Sequence, residues 1–272
     1  MIPRFLAFLA LTSVTPLTLT AADSVVSVPV PVAHRGLFKH APENTVPAFA
    51  ACLDLRHGFE LDVRRSHDGV LVCIHDDTVN RTTNGTGKVS ELKLAELRAL
   101  DAGRWFDPAF TGERIPTFAE ILAQSKKHPI GPKLIALDLK TDDAQFATDV
   151  TKHVNDAGLR DRVVCIGNAI TDADLRKRLK AADAKLPVAV LAQTPTDLEK
   201  AIADPFSDWV YVRFVPSESH VQQARQAKKR VFAAGPLFAG ILPENWKVTA
   251  TSGVDAILTD FPTELRAVVK RR

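Results

Sequence analysis

The feature that most constrains the fold of this chain is an alternation between short β-branched segments and amphipathic helical patterns. Eight such segments follow one another from residue 30 onward, and they lie at 30–34, 59–63, 134–139, 162–166, 187–191, 209–214, 230–233 and 255–258. This alternation is typical of βαβ units, in which helices cover parallel strands. Eight units in 272 residues predict an α/β fold of the (β/α)8 TIM barrel type.

The alternative parallel architecture is an open, doubly wound sheet. That fold would place a glycine-rich phosphate-binding turn after the first strand, whereas this strand leads into His34-Arg35-Gly36. The barrel is therefore the favoured interpretation. Four polar residues are predicted to cap helices between the strands: Asn44, Asp142, Thr171 and Ser217.

One segment interrupts the alternation after the second strand. Asp68-Gly69 is a tight-turn signal between residues 63–66 and 70–74, and so short a connection joins only antiparallel strands. We therefore predict a β-hairpin extension of the second strand. Residues 77–117, rich in Gly, Thr and charged side chains, should then form an insertion between strands 2 and 3 that covers the active face.

Composition narrows the class of partner. Thirty-five Lys and Arg against thirty-two Asp and Glu give a net charge of +3 with no long basic run, so nucleic acid is not an expected partner. A small molecule is expected instead, and the sequence contains no signal for the oligomeric state. Three cysteines, Cys52, Cys73 and Cys165, lie in apolar surroundings and are predicted to be core residues.

The first 22 residues have the layout of a secretory signal peptide. Arg4 precedes an apolar stretch over residues 5–11, and small residues end at Thr20-Ala21-Ala22. The rival interpretation is a membrane anchor, but the apolar run is much shorter than the roughly 20 residues that span a bilayer. We expect export to the periplasm or the extracellular space, no stable membrane insertion after cleavage, and a single mature domain over residues 23–272.

Acidic side chains are concentrated at the predicted strand ends, where the active sites of barrel enzymes lie. Glu60 and Asp62 are two residues apart and should both point into the barrel, and Asp138 ends the third strand. Burying such carboxylates together is costly unless a cation neutralises them. An oxygen-only set predicts Ca²⁺ or Mg²⁺ as the cofactor. The alternative is an ion network with Arg35 or Lys140.

Two histidines complete the predicted site. His34 and His75 follow neighbouring strands, and imidazole can accept or donate a proton near neutral pH, so we assign them acid and base roles. The alternative for each is a structural core histidine. Arg35 and Lys140 supply positive charge where a phosphate would bind. The remaining histidines are predicted to lie at the surface: His40, His57, His67, His128, His153 and His220.

A series of short motifs resembles the glycerophosphodiester phosphodiesterase family, in order and spacing, over nearly all of the predicted mature chain. The most specific are His34-Arg35-Gly36, Pro42-Glu43-Asn44-Thr45, Glu60-Leu61-Asp62-Val63, His75-Asp76, Arg81-Thr82-Thr83, Leu100-Asp101-Ala102-Gly103, and Gly253-Val254-Asp255-Ala256-Ile257-Leu258-Thr259-Asp260.

The resemblance implies a barrel enzyme that uses Ca²⁺ or Mg²⁺ to hydrolyse glycerophosphodiesters to glycerol 3-phosphate and an alcohol. The roles that the resemblance implies are the same as those inferred from the residues alone. They place His34 and His75 in proton transfer, Glu60, Asp62 and Asp138 at the metal, and Arg35 and Lys140 at the phosphate. Two rivals are a phospholipase-type phosphodiesterase on the same barrel, which an apolar exposed rim on the insertion would favour, and a catalytically silent binding module.

The chain departs from the family pattern at three strand ends. The third strand has Asp138-Leu139-Lys140 where the family usually has Glu-x-Lys, so the ligand is one methylene shorter. The fourth strand ends in Gly167-Asn168, where the family often has Ser-Phe, and the seventh has Phe232-Ala233-Ala234-Gly235, where the family often has Trp-Thr. Trp246, from a following helix, is a candidate to refill the space.

Overall fold

The structure, a computed structural model, describes residues 28–131, 133–141 and 143–270. Its centre is a sheet in which eight parallel strands follow the order β5-β4-β2-β1-β9-β8-β7-β6, with β3 paired antiparallel to β2. The strands are β1 Val30–Ala33, β2 Gly58–Arg65, β3 Leu71–Cys73, β4 Ile135–Leu139, β5 Val163–Gly167, β6 Ala189–Ala192, β7 Trp209–Val212, β8 Arg230–Ala233 and β9 Ala256–Thr259.

The sheet is a nearly closed barrel, and the weak point lies between β5 and β6. These strands meet through a single parallel bridge, Cys165 to Val188, and the Cys165 N–H donates to the carbonyl of Pro187 at 2.9 Å. Pro187 has no N–H to contribute to the ladder, which explains why β6 begins only at Ala189. The predicted (β/α)8 barrel is confirmed.

Helices cover the outside of the barrel. They are α1 Val46–Asp54, α2 Leu94–Ala99, α3 Phe118–Lys127, α4 Phe146–Ala157, α5 Asn168–Thr171, α6 Ala173–Ala182, α7 Leu198–Ala203, α8 Glu218–Gln226, α9 Pro236–Ala239, α10 Pro243–Thr251 and α11 Pro262–Val269. Within the described part of the chain, no helix combines the length and the hydropathy that crossing a bilayer requires.

Side-chain alternation along the strands divides the core into an inner and an outer layer. On β2, Phe59, Leu61 and Val63 point outward and pack against the covering helices with Phe49 of α1. The barrel interior is filled mainly by side chains from other strands, among them Val32, Ala136, Val164, Trp209, Tyr211, Phe232 and Ala256. The inward-facing positions of β2 contribute none of these apolar side chains, so they can hold polar residues. The three cysteines are buried and unpaired, as predicted.

The hairpin and the insertion form an annex on the barrel. In the hairpin, Val63 pairs with Cys73 across the turn at Gly69, as predicted. The residues between β3 and α3 enclose a small apolar cluster of their own, which contains Val72, Ile74, Val79, Val89, Leu97, Ala102 and Ile115. This core gives the annex a fixed shape, so that it can hold side chains at the barrel mouth.

The predicted helix caps were partly right. Ser217 caps α8 and accepts a hydrogen bond from the N–H of His220 at 3.3 Å. The cap predicted at Thr171 was wrong. Asp172 caps α6, and its side chain accepts hydrogen bonds from the N–H groups of Asp174 and Leu175. The cap predicted at Asn44 was also wrong. Thr45 is the residue that precedes α1, and the Asn44 side chain turns toward the barrel. The cap predicted at Asp142 and the signal peptide predicted over residues 1–22 lie outside the described residues.

Candidate active site

Three carboxylates converge inside the barrel at the carboxyl ends of β2 and β4. Glu60 and Asp62 point inward from β2, and the parallel register places Asp138 of β4 opposite Asp62. One oxygen from each of the three lies within 4.8 Å of the other two. Glu60 and Asp62 are only 1% exposed, so the three groups share one buried space.

The electrostatics of this cluster are unbalanced. Burial raises the pKa of Glu60 well above its ordinary value, and the neighbouring charges of Asp62 and Asp138 raise it further. The pKa of Asp138 is raised as well, by burial and then by Asp62. The Lys140 Nζ lies 3.1 Å from Asp62 Oδ1 and 2.9 Å from Asp138 Oδ2. Arg35 Nε lies 3.9 Å from Asp62 Oδ2, so two cationic side chains face three carboxylates.

The cluster fits a hard divalent cation. Glu60 Oε1 and Asp138 Oδ1 are buried and accept no hydrogen bond from the described residues, and Asp62 Oδ1 has only its ion-pair contact with Lys140. Unpaired buried carboxylate oxygens are costly, and a cation that they coordinate would remove that cost. Glu60, Asp62 and Asp138 are thus the residues that could hold Ca²⁺ or Mg²⁺.

The loop after β1 supports two of the three carboxylates. The backbone N–H of Arg35 donates to Glu60 Oε2 at 2.7 Å. Asn44 donates through Nδ2 to Asp62 Oδ2 at 2.7 Å, and its Oδ1 accepts from the Asp62 N–H at 3.1 Å. Arg35 and Asn44 both have positive φ, 52° and 56°, a conformation that is unfavourable for most residues other than glycine. This strain aims both donors at the carboxylates.

A glycine makes room for Asp138 at the end of β5. A Cβ at Gly167 would lie 2.1 Å from Asp138 Oδ1 and 2.5 Å from the backbone nitrogen of Leu139. Gly167 also has a φ of 70°, which favours glycine independently of the contact. The residue that departs from the family pattern at this position therefore packs directly against the shortened acidic side chain.

Each predicted catalytic histidine has a carboxylate partner. His34 Nδ1 lies 2.9 Å from Asp260 Oδ1, and His75 Nδ1 lies 2.8 Å from Asp76 Oδ1. Both imidazoles are about one-third exposed. A hydrogen bond at Nδ1 fixes the ring and directs the Nε2 atom away from the carboxylate, which is the arrangement that proton transfer to a ligand requires.

A chain of charges connects the histidine on the annex with the barrel. Arg81, from the insertion, donates to both oxygens of Asp76 and to both oxygens of Glu43, in each case at 2.8–2.9 Å. Glu43 in turn accepts from Arg35 Nη1 at 3.0 Å. The hydrogen bonds from Arg81 and then from His75 lower the pKa of Asp76 strongly, so Asp76 is an anion beside His75 at neutral pH.

Comparison with known proteins assigns the chain to a family. The model of the glycerophosphoryl diester phosphodiesterase family matches residues 34–264, a segment that includes every site residue described above. The chain belongs to this family. Among curated relatives, the glycerophosphodiester phosphodiesterase of Caldanaerobacter subterraneus is 53% identical over 91 residues, which are 33% of this chain and 37% of that protein. The chain spans less than half the length of the curated relatives that it matches.

Solved structures agree over a larger part of the chain. The glycerophosphodiester phosphodiesterase from Agrobacterium tumefaciens has a TM-score of 0.76 at 27% identity, covering 88% of this chain and 99% of its own. A phosphodiesterase from Oleispira antarctica, solved with the product sn-glycerol-3-phosphate, has a TM-score of 0.71 at 22% identity, covering 89% and 97%. The second likeness shows the fold alone.

The structure brings together all seven residues that the sequence predicted for the site of this glycerophosphodiester phosphodiesterase family member: His34, Arg35, Glu60, Asp62, His75, Asp138 and Lys140. The sequence did not predict a place in the site for the residues that position them: Glu43, Asn44, Asp76, Arg81 and Asp260. All five stand in the family motifs, so the signal was present, but only the fold joins Asp260 to His34, 226 positions away.

Two other predictions were wrong. His57 is not a surface residue: it is 1% exposed, and its Nδ1 accepts a hydrogen bond from Arg266 Nη2 at 2.7 Å. Trp246 does not refill the pocket wall. It is fully buried between the barrel and the outer helices, and its Nε1 donates to the carbonyl of Phe238 at 3.1 Å.

Proposed function

We propose that this protein hydrolyses glycerophosphodiesters to glycerol 3-phosphate and an alcohol. The observation that carries the proposal is the presence, at one barrel mouth, of two histidine–carboxylate pairs beside three buried carboxylates and two cationic side chains. The names of the family and of its relatives support this substrate class over other phosphodiesters.

We assign binding of the phosphate to Arg35 and Lys140. Their side chains are 18% and 20% exposed, so each can reach a ligand while it remains ordered by a buried carboxylate. A divalent cation held by Glu60, Asp62 and Asp138 would supply further positive charge against the nonbridging oxygens. Pre-arranged charge of this kind is usually a large part of catalysis in phosphoryl transfer.

We assign proton transfer to His34 and His75. One imidazole would accept the proton of the attacking hydroxyl, of water or of the neighbouring glycerol hydroxyl, as its oxygen bonds to phosphorus. The other would donate a proton to the alkoxide that leaves when the phosphorus–oxygen ester bond breaks. Asp260 and Asp76 would hold the two rings in place and stabilise the protonated ring in each half of the cycle.

The proposal is tested by assaying the purified protein with glycerophosphocholine, glycerophosphoethanolamine and bis(p-nitrophenyl) phosphate in the presence of Ca²⁺ or Mg²⁺. Release of glycerol 3-phosphate from the two glycerol diesters is the expected result. Turnover of the nitrophenyl ester alone would indicate a different phosphodiester substrate. No turnover of any of the three would indicate a binding module that has kept the barrel without the activity.

A second candidate, a phospholipase-type diesterase, is favoured by one observation. The segment after β8 exposes three aliphatic side chains, Leu237, Ile241 and Leu242, which are 40%, 54% and 38% exposed. It adjoins the site, because the N–H of Asp260 donates to the carbonyl of Ala239 at 2.9 Å. The lipase candidate calls for an apolar rim on the insertion. The exposed apolar side chains lie instead on the loop after β8.

Matched variants separate the two candidates. If acyl chains lie on this rim, replacing Leu237 and Ile241 with Ser should raise KM for lysophosphatidylcholine at least tenfold and leave glycerophosphocholine unchanged. Val248→Ser is the control, because Val248 is 54% exposed on α10 and outside that segment. Equal activity of all variants on both substrates would eliminate the lipase candidate.

We also propose that residues 1–22 direct export and are removed. The support is the order of basic, apolar and small residues in the sequence. The mass and amino-terminal residue of the protein recovered outside the cytoplasm test this proposal: a start near Asp23 is expected, and a full-length chain retained in the membrane fraction would contradict it.

A further inference from the structure

A cationic groove lies at the end of the barrel opposite the carboxylates. It has a volume of about 380 Å³ and is lined by Val28, Pro29, Val30, Pro31, Arg56, Lys133, Arg266 and Lys270. We call it the basal groove. Residues 28–31 lead into β1, Arg56 and Lys133 precede β2 and β4, and the other two belong to the carboxyl end of the chain. The lining therefore comes from the segments that lead into β1, β2 and β4 and from the end of α11.

The basal groove concentrates positive charge. The groove has four cationic side chains, and its lining contains no carboxylate. Its charge of +4 is larger than the net charge of the whole chain, which is +3. Arg56, Lys133 and Lys270 are exposed, and none of the three forms an ion pair with any residue in the described part of the chain. Like charges gathered in this way repel one another unless an anion lies between them.

Arg266 is fixed in the groove by neutral partners alone. Its Nη1 donates to the carbonyl of Leu55 at 2.5 Å, and its Nη2 donates to the carbonyl of Arg56 at 2.8 Å and to His57 Nδ1. These bonds order the guanidinium and leave its charge uncompensated. Burial and then the charge of Arg56 lower the pKa of Arg266.

The basal groove also has an apolar side. Val28 is 57% exposed and lines the groove next to Pro29. Cations beside an exposed apolar side chain match an anionic bilayer surface better than they match a fully hydrated ion.

We propose that the basal groove binds the phosphate headgroups of an anionic phospholipid surface. The fixed Arg266 contacts one headgroup, and the exposed side chains of Arg56, Lys133 and Lys270 contact its neighbours. Docking in this orientation turns the carboxylate mouth away from the bilayer, because the two sites lie at opposite ends of the strands. The mouth then faces the aqueous phase, where it meets soluble phosphodiesters.

The test is cosedimentation of the mature protein, without residues 1–22, with vesicles at low ionic strength. Vesicles of phosphatidylcholine with one-third phosphatidylglycerol should bind at least ten times more protein than pure phosphatidylcholine, and raised salt should release it. Lys133→Glu with Lys270→Glu should remove at least nine-tenths of this binding. Lys93→Glu with Lys177→Glu, on the annex and on the middle of α6, changes the net charge equally and should retain it. The thermal midpoint of each variant reports whether it is folded.

Three results would overturn the proposal. Equal binding to both kinds of vesicle would show that adsorption does not depend on anionic headgroups. An equal loss in both double variants would assign it to net charge. Binding of inorganic phosphate, measured by calorimetry and abolished by the basal variants, together with no binding to vesicles, would make the groove a site for a soluble anion.

Discussion

Asn44 shows how a single side chain can serve a different purpose from the one its position suggests. It precedes a helix, as a cap would, but its positive φ turns the amide toward Asp62. The amide has both a donor and an acceptor, and Asp62 uses both. A carboxylate that receives this support remains fixed in direction, which a coordinating ligand requires.

The histidine pair gives the clearest prediction for individual residues. His34→Ala and His75→Ala should each reduce kcat for glycerophosphocholine by about two orders of magnitude or more, because each removes a proton-transfer group. The thermal midpoint should change little, since both rings are partly exposed. His67→Ala, which removes an exposed imidazole from the hairpin turn, is the control and should retain full activity. Full activity in both site variants would refute the proposed roles.

Among the structural elements, the end of β5 allows a test of the shortened acidic ligand. Gly167→Ala would place a methyl group against Asp138 Oδ1 and Leu139, in addition to straining the backbone. Gly158→Ala is a matched control, because Gly158 has nearly the same φ, 68°, and nothing within 4 Å of the added Cβ.

We expect Gly158→Ala to lower the free energy of unfolding by about 1 kcal/mol, from backbone strain alone. Gly167→Ala should cost more and should also weaken the stabilisation by added Ca²⁺ or Mg²⁺, measured by urea unfolding with and without the cation. An identical response of the two variants to the cation would show that Asp138 is not part of the cation site.

The elements themselves were largely predictable from the sequence. The period-two alternation of Glu60 and Asp62 with outward apolar residues fixed both the strand and the direction of its carboxylates, and the Asp68-Gly69 turn fixed the hairpin. The observed strand boundaries differ from the predicted ones by at most two residues. At β6, for example, the missing N–H of Pro187 delays the start of the strand to Ala189. Positioning contacts such as those of Arg81 with Glu43 and Asp76 were not predictable, because they depend on how the annex packs against the barrel mouth.

For the whole molecule, the two ends of the barrel have opposite charge. The mouth holds buried carboxylates that attract cations, and the base holds the groove of Arg56, Lys133, Arg266 and Lys270. His57 lies under this groove. Burial, followed by the charges of Arg266 and Lys270, lowers its pKa to about 4.

His57 predicts acid sensitivity of the fold. Because its pKa is lower in the folded than in the unfolded chain, the unfolded chain binds more protons below about pH 6.5, and stability falls from there toward pH 4. Between pH 7 and pH 4.5, the wild type should lose roughly 1–2 kcal/mol more free energy of unfolding than His57→Gln. Urea unfolding at both pH values measures this difference, and parallel losses would show that His57 does not titrate in this range.

We propose that a divalent cation at Glu60, Asp62 and Asp138 is required for turnover. It is tested most directly by following glycerophosphocholine hydrolysis after exhaustive chelation, and again after Ca²⁺ or Mg²⁺ is restored, in the wild type and in Glu60→Gln. We expect activity to fall to background, to return with the cation in the wild type, and not to return in the variant. Full turnover by the completely chelated wild-type protein would contradict the claim.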